Sequence, residues 1–342
     1  MRSTLRVTVV GGGNGISAVL RGLARESREG RALEISAVVA TADDGGSSGR
    51  IRRERGGLPV GDFRNCLLAL APDPSPLAKL FAHRYLGTGE LAGHAVGNLM
   101  LAALAEQEGC HLRGLEVAGR LLGCAGRVLP ATTVPLALHA ELEDGSLLNG
   151  ESSIGRSERS VRRVWLEPSD ASAPEESVSA IREADLLVIG PGSLYTSLLS
   201  VLCVGDLARA LRETAAIRVL VSNLMTQPGE TSGMRLNAHL DAIDAHLGAG
   251  MVDAVLAHGP AVEPWRLAPY AAEGSEPVLE PLRSGRRERL VVAELATGSG
   301  KIRHDAARTA AAVLALAPSP KTSRAAKPSV VASTIRQEVT SR

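Results

Sequence analysis

The chain has 342 residues, a length that fits one large α/β domain or two smaller ones at roughly 150 residues per domain. Its 38 basic and 37 acidic residues give a formal charge of +1, which argues against a polyanion-binding surface over the whole protein. Two Phe, three Tyr and two Trp are too few for binding single-stranded nucleic acid by base stacking, so no nucleic-acid partner is expected.

The sequence also favours a reducing compartment and argues against a membrane. No two of the four cysteines have the C-x-x-C spacing of a zinc or redox motif, and reduced thiols are the expected state. The four apolar residues before the first glycines are too few for a signal-peptide core, and no apolar run approaches the ~20 residues of a membrane span. We therefore expect a cytoplasmic protein without membrane insertion.

The predicted elements begin with a βαβ unit. Residues 7–10 form a short β-branched run, typical of a buried parallel strand, and a glycine loop follows at 11–15. Apolar residues then recur at helical spacing from Ile16 to Leu23, before a second strand at 33–40. A strand, a helix and a strand in this order form a right-handed crossover.

The remaining pattern places an irregular region between two runs of parallel strands. Residues 41–60 are predicted as a polar, Gly-rich loop, 61–123 as mainly helical, 136–148 as a hairpin around Asp144-Gly145, and 161–166 as a strand. The parallel pattern then resumes, with strands at 186–189, 217–221, 252–256 and 290–295 and helices at 175–183, 206–213, 235–247 and 305–316.

We therefore predict a single α/β domain over residues 1–317, a Rossmann-like, doubly wound, three-layer αβα fold. A mostly helical insertion with a hairpin occupies about residues 60–165. Residues 318–342 carry five basic residues and one acidic residue among Ser, Thr and Pro, and are predicted to form a disordered basic tail.

The first glycine loop has the context of a phosphate-binding turn. Residues 13–18 match G-x-G-x-x-A, in which glycines let the backbone approach a phosphate and a helix N-terminus points its N–H groups at the anion. Gly12, Gly13, Asn14 and Gly15 are therefore candidate ligand-binding residues. A tight turn that needs a positive φ is the alternative explanation.

The loop after the second strand carries paired carboxylates. Asp43 and Asp44 are candidates for catalysis, as acceptors of a proton from a substrate hydroxyl, and for holding Mg²⁺ with substrate phosphates. Ser47 and Ser48 are candidate ligand contacts, and Arg50 could bind a phosphate as a bidentate fork. A solvated Asp-Gly turn is the alternative.

A third group of polar residues opens two predicted helices. Asp62, Arg64 and Asn65 are candidate ligand-binding residues at the start of one helix, with Arg64 suited to a phosphate. His94 and Asn98 lie four residues apart, so both could point from one helical face into the same crevice. Helix capping by Asp62 and a structural role for His94 are the alternatives.

The fourth group follows two strands of the second parallel run. In open parallel sheets, ligands bind beyond the carboxyl ends of the strands, so all four groups are expected to converge on one crevice. The candidate ligand-binding residues here are Gly190, Gly192, Ser193, Thr196, Asn223 and Gln227.

These segments together resemble the gluconeogenesis factor family of the YvcK type, within the superfamily of the 2-phospho-L-lactate transferase CofD. The matching segments run in order between about residues 5 and 316. They are GGGNG (11–15), ATADDGGSSGRIR (40–52), PVGDFRNCLLAL (59–70), GHAVGNLMLAAL (93–104), GRVLPATT (126–133), GES (150–152), ADLLVIGPGSLYTSLL (184–199), NLMTQPGET (223–231) and RHD (303–305).

The resemblance implies a cytoplasmic regulator that binds a nucleotide sugar such as UDP-N-acetylglucosamine, or a dinucleotide. Such proteins are needed for normal cell shape and wall synthesis on gluconeogenic carbon sources. Carried over, residues 12–15 and 190–193 would hold phosphates, Asp43 and Asp44 would face an acceptor or Mg²⁺, and Asn223 and Gln227 would face the base or sugar. We also expect a cell-wall synthesis or regulatory protein as partner, and a homodimer.

Two alternatives assign an enzymatic role. The transferase branch of the superfamily moves a phospholactyl group from a nucleotide diphosphate donor to a deazaflavin, with Mg²⁺. An NAD-dependent dehydrogenase would also use residues 13–18 and the acidic loop, but no His/Asp or Tyr/Lys catalytic pairing is evident. The sequence has no serine-hydrolase elbow or Walker lysine, so it favours a binding protein over an enzyme.

Overall fold

The structure is a computed structural model that describes residues 4–157 and 159–318. The predicted basic tail lies outside these residues, apart from Pro318. The strands of the described residues are β1 (Leu5–Gly11), β2 (Leu33–Val39), β3 (Gly126–Pro130), β4 (Ala137–Leu142), β5 (Leu147–Asn149), β6 (Val161–Glu167), β7 (Leu186–Ile189), β8 (Ile217–Val221), β9 (Ala254–His258) and β10 (Arg289–Ala293).

The helices of the same residues surround two sheets. They are α1 (Gly13–Arg28), α2 (Gly46–Arg55), α3 (Gly61–Leu70), α4 (Pro76–Ala82), α5 (Val96–Glu108), α6 (His111–Leu122), α7 (Glu151–Ile154), α8 (Glu175–Arg182), α9 (Ser200–Leu202), α10 (Gly205–Glu213), α11 (Leu236–Leu247), α12 (Pro264–Ala272) and α13 (Ala306–Leu314), with a π-helical segment at Leu194–Leu199.

Seven strands form the large sheet, in the order β3-β2-β1-β7-β8-β9-β10, and all neighbouring pairs are parallel. The order reverses between β1 and β7, because the chain first builds outward to β3 and then returns to the other side of β1. A crevice therefore opens beyond the carboxyl ends of these two strands, where open α/β sheets bind their ligands.

The core divides into two layers, one on each face of the large sheet. Along β1, Val7 and Val9 pack with Ile16 and Leu20 of α1, whereas Val10 belongs to the opposite cluster with Ile189 of β7. Alternation along the strand thus buries both faces, as a parallel sheet covered by helices requires. The prediction of a Rossmann-like three-layer fold is confirmed.

The small sheet has the antiparallel order β5-β4-β6, with a register shift between Glu141 and Leu142. The predicted hairpin and the following strand are both confirmed. β3 falls within the predicted insertion, yet it pairs with β2 as an edge strand of the large sheet.

The prediction of a loop over residues 41–60 was wrong for its central part, because Gly46–Arg55 forms α2. Its early glycines and serines are poor helix formers, but the following run of arginines and Glu54 favours a helix. Long-range contacts hold this helix: Ser47 Oγ lies 3.0 Å from both Asn98 Nδ2 and His94 Nδ1, and Arg52 Nη2 donates to Leu136 O at 2.6 Å.

Among the described residues, no single helix is long and apolar enough to cross a membrane. One pair, Leu194–Leu202 with Gly205–Glu213, reaches the necessary length only across a bend of 77°.

Candidate ligand-binding site

A cleft of about 900 Å³ lies at the reversal point between β1 and β7. Nine of the sequence-predicted residues line it: Gly12, Gly13, Gly15, Asp43, Asp62, Gly192, Ser193, Asn223 and Gln227. The predicted convergence of strand-end loops therefore holds for part of each of the four groups. The side chain of Asn14 lies outside what the structure describes.

The first glycine loop forms one wall of the cleft, and neighbouring atoms leave no room for a Cβ at Gly12 or Gly15. Gly13 has φ +65°, a conformation that favours glycine, and its N–H donates to the Asp62 carboxylate. A Cβ on Gly12 would lie 2.7 Å from Asp62 Oδ2. A Cβ on Gly15 would overlap the carbonyl oxygen of Pro191 and lie 2.6 Å from its carbon. The loop is therefore shaped by close contacts with α3 and with the loop after β7.

Asp62 places a carboxylate at the N-terminus of α1. Desolvation and the nearby Asp43 raise the pKa of Asp62 to about 6, while the Gly13 N–H and Arg64 lower it. At neutral pH the group is mostly ionised, and the positive end of the helix dipole stabilises it there. An anionic ligand at this helix N-terminus would meet that negative charge.

Three carboxylates form a cluster at the edge of the cleft, and Asp43 and Glu151 line it. The ligand oxygens of Asp43, Asp44 and Glu151 lie within 4.8 Å of one another. Asp43 Oδ1 accepts the N–H of Gly45 at 2.8 Å, and Asp44 Oδ1 accepts that of Ser152 at 2.9 Å. Desolvation and the charge of Asp43 raise the pKa of Glu151 to about 9, so this side chain holds a proton at neutral pH.

Glu151 was missed as an individual site residue, although the segment that contains it was noted in the sequence. It lies on α7, between strands β5 and β6 of the small sheet, and only the tertiary fold brings it to Asp43. Three carboxylate oxygens at this spacing are the hard ligands that Mg²⁺ prefers.

The glycine loop after β7 lies directly against the first glycine loop and forms the adjoining wall, and its polar groups are largely paired within the protein. The Gly192 N–H donates to Asn223 Oδ1 at 3.1 Å, and Gln227 Nε2 donates to Ser193 Oγ at 3.0 Å. Gln227 Oε1 is buried and has no hydrogen-bond partner among the described residues. Asn223 and Gln227 thus support this wall and leave one acceptor atom for another group.

A buried glutamate fills the anion position at the start of the π-helical segment. Glu230 Oε1 accepts the N–H groups of Tyr195 and Thr196 at 2.7 and 2.8 Å. These are the donors that a phosphate at this helix start would use. Sequence reasoning expected Gly190, Gly192, Ser193 and Thr196 to bind ligand, but the Thr196 N–H is occupied, and neither Thr196 nor Gly190 lines the cleft.

Eight predicted residues do not line the cleft: Asp44, Ser47, Ser48, Arg50, Arg64, Asn65, His94 and Asn98. His94 and Asn98 do point to one place, but that place is Ser47 on α2. Asn98 Nδ2 donates to Ser47 Oγ at 3.0 Å, and Ser47 Oγ lies 3.0 Å from His94 Nδ1. Desolvation and Arg50 lower the pKa of His94, which suits a neutral ring that accepts the Ser47 proton.

Four further cleft residues come from segments that sequence reasoning left without a role. Arg21 lies on α1, Tyr270 on α12, and Arg303 and His304 precede α13. Desolvation lowers the pKa of His304 to about 4, and the neutral ring contacts Ser222 O through Nε2 at 3.1 Å. In the sequence, the Arg303-His304-Asp305 triplet before a predicted helix was the one signal for Arg303 and His304 as site residues. No sequence pattern indicated Arg21 or Tyr270.

The chain matches one family model, described as 2-phospho-L-lactate transferase CofD, over residues 7–295. A relative from Halalkalibacterium halodurans, named gluconeogenesis factor, is 44% identical over 273 residues, which cover 80% of this chain and 83% of the relative. A relative of the same name from Bacillus subtilis is 38% identical over 315 residues, 91% of this chain and 98% of the relative.

The fold is also similar to two crystal structures of a protein from Bacillus halodurans. Their TM-scores are 0.86 and 0.85 at 39% and 40% identity, and each match covers 91% of this chain and nearly all of the other. One of them is described as a member of the UPF0052 family.

Proposed function

The chain belongs to the CofD family, and on this basis we propose that its cleft binds a nucleotide sugar of the UDP-N-acetylglucosamine type. The observation that carries the proposal is the cleft of about 900 Å³ at the reversal point of the sheet, beside the N-terminus of α1. That volume lies within the roughly 300–1,000 Å³ of small-molecule sites and accommodates a nucleoside diphosphate with a sugar.

The charges of the cleft favour one orientation of the ligand. The exposed guanidinium groups of Arg21 and Arg303 suit the diphosphate. The wall formed by the loop after β7 suits an uncharged base or sugar, because Glu230 already occupies its helix N–H groups and Gln227 Oε1 has no partner among the described residues.

Mg²⁺ fits the carboxylate cluster and would accompany the diphosphate. Asp43, Asp44 and Glu151 would hold it, since all three offer oxygen atoms within 4.8 Å of one another. When bound, the ion supplies positive charge that offsets the repulsion between phosphates and carboxylates. Asp62 and Asp43 line the same cleft, so an unneutralised diphosphate would bind poorly.

Calorimetric titration with UDP-N-acetylglucosamine, with and without Mg²⁺, tests this assignment. We expect saturable binding that Mg²⁺ strengthens and that Arg303→Ala weakens about tenfold or more, as for loss of one charge-assisted contact. The matched control is Arg113→Ala, which removes an exposed arginine of α6 far from the cleft-lining residues. No heat change with any UDP-sugar at millimolar concentration would refute the proposal.

A regulatory role follows if binding occurs without turnover. We propose a cytoplasmic homodimer that responds to the nucleotide sugar and engages a cell-wall synthesis or regulatory protein on gluconeogenic carbon sources. The test is complementation: a strain lacking the gene should regain normal cell shape on such a source with the wild-type chain, but not with Arg303→Ala at equal expression. Full rescue by a variant that has lost the ligand would contradict a role for binding.

The second candidate function is phospholactyl transfer to a deazaflavin, and a specific observation favours it. Asp62 and Glu151 face the cleft with pKa values of about 6 and about 9, values suited to proton transfer near neutral pH. Incubation with a nucleotide-activated phospholactate, a deazaflavin and Mg²⁺ decides between the two. Product formation that Asp62→Asn abolishes would establish the transferase.

A further inference from the structure

Behind the cleft, three arginines from three different segments come together with neutral acceptors as their partners. Arg50 Nη2 on α2 donates to Ala92 O at 2.6 Å, and Arg84 Nη1 donates to Gly93 O, the next carbonyl along the chain. Desolvation lowers the pKa of Arg64 on α3, and repulsion from the nearby charge of Arg84 lowers it further. None of these arginines forms an ion pair within residues 4–157 and 159–318.

Arg64 is the least satisfied member of this arginine cluster. Its side chain is only 9% exposed, and Nη2 donates to Asn65 Oδ1 at 2.8 Å. Nε and Nη1 are buried without a hydrogen-bond partner among the described residues. Leaving charged donors unpaired in the interior costs on the order of 1–3 kcal/mol each or more, so such groups usually serve a bound ion or water.

The position of Arg64 separates it from the nucleotide cleft. Asp62 lines the cleft, but Arg64 lies two residues further along α3, and helix residues two apart point to different faces. Arg64, Arg50 and Arg84 are all absent from the lining of the cleft. The charge of Asp62 opposes the lowering of the Arg64 pKa, and the charge of Glu54 opposes the lowering of the His94 pKa. Neither carboxylate forms an ion pair with the three guanidinium groups.

We propose that Arg64, with Arg84 and Arg50, forms a second binding site for a small oxyanion, a phosphate or a carboxylate group. The ligand accepts hydrogen bonds from Arg64 Nε and Nη1, and its charge relieves the repulsion between Arg64 and Arg84. Arg84 is exposed, so it lies on the side from which the ion enters. Arg50 ties residue 92 to α2, and Arg84 ties residue 93 within the segment between α4 and α5. Anion binding stabilises this arrangement.

Thermal unfolding of the full chain in phosphate tests the site, with chloride of equal ionic strength as reference. We expect about 10 mM phosphate to raise the Tm of the wild-type protein by a few degrees, as for any ligand specific to the folded state. The shift should disappear in Arg64→Met and fall to less than half in Arg84→Ala. Arg84 is exposed, so the second variant remains informative if Arg64→Met fails to fold. Arg113→Ala is the control and should keep the full shift.

Phosphate binding in the nucleotide cleft is distinguished by Arg303→Ala. The proposal expects the phosphate shift to persist in this variant even though its affinity for UDP-N-acetylglucosamine falls. A shift that is lost in Arg303→Ala but kept in Arg64→Met and Arg84→Ala would place the anion in the cleft and overturn the second site. Equal Tm values in phosphate and chloride for the wild-type protein would overturn it as well.

Discussion

Replacement of Gly15 by alanine separates two explanations of the first glycine loop. The sequence suggests that these glycines let a phosphate approach the backbone. In the structure, an added Cβ at Gly15 would overlap Pro191 O and lie 2.6 Å from Pro191 C, and 2.9 Å from Gly192 Cα. These atoms belong to the backbone, so no side-chain rotation relieves the overlap. The loops after β1 and β7 would have to move apart by several tenths of an ångström.

The cost can be estimated from two opposing effects. Overpacking usually destabilises by about 1–3 kcal/mol, and a backbone contact belongs near the upper end. Alanine regains up to ~1 kcal/mol because Gly15 lies within α1 with ordinary helical φ. The net expectation is a loss of about 2 kcal/mol in the free energy of unfolding.

Urea denaturation of Gly15→Ala and of a matched control measures this loss. Gly205→Ala is the control, because Gly205 also lies in the first turn of a helix, α10, and a Cβ there would meet no atom within 4 Å. The control should equal or slightly exceed the wild type in stability. If Gly15→Ala unfolds like the control but loses affinity for the nucleotide sugar, the packing explanation is wrong and the phosphate explanation stands.

Three further outcomes follow from the buried carboxylates. Glu230→Ala should destabilise by about 3 kcal/mol, because the Tyr195 and Thr196 N–H groups lose their acceptor, whereas Glu230→Gln should cost about 1 kcal/mol; urea denaturation compares them. Desolvation raises the pKa of Asp62 from 3.8 to about 6, so its contribution to stability is full below pH of about 4 and is lost as the pH rises through about 6. Asp62→Asn should flatten the stability profile over that window, and an unchanged profile would contradict the assignment. Glu151→Gln should weaken Mg²⁺ binding at least about tenfold in calorimetry, because Glu151 loses its proton and becomes an anionic ligand when the cation binds, whereas glutamine stays neutral.

The large sheet and the position of the cleft were predictable because they rest on local patterns. Short buried runs such as the β-branched residues 7–10 and the apolar residues 186–189, each followed by glycines, mark parallel strands and their carboxyl ends. Strand-end loops share one edge of the sheet, so Asp43, Gly192 and Asn223 could be assigned to the cleft without knowledge of strand order.

The errors arose where long-range contacts outweigh local preference. Residues 46–55 have poor helix formers in their first turn, but α2 forms and carries Ser47 and Arg50 away from the cleft. The spacing of His94 and Asn98 correctly predicted that both side chains point to one place. Helical periodicity does not show which neighbouring residue lies there. The proximity of Glu151 to Asp43 depends on where the small sheet packs, and the sequence pattern does not show that position.

The near-zero net charge conceals a separation of charge within the site region. On the cleft side of α3, Asp62 lies with Asp43 and Glu151, and desolvation together with repulsion from Asp43 raises the pKa values of Asp62 and Glu151. On the other side, desolvation together with repulsion from Arg84 lowers the pKa of Arg64. A cation in the first half and an oxyanion in the second would each offset the local charge. A protein built only for stability would have paired these groups with one another, so their separation across a single helix supports the proposal of two ligands.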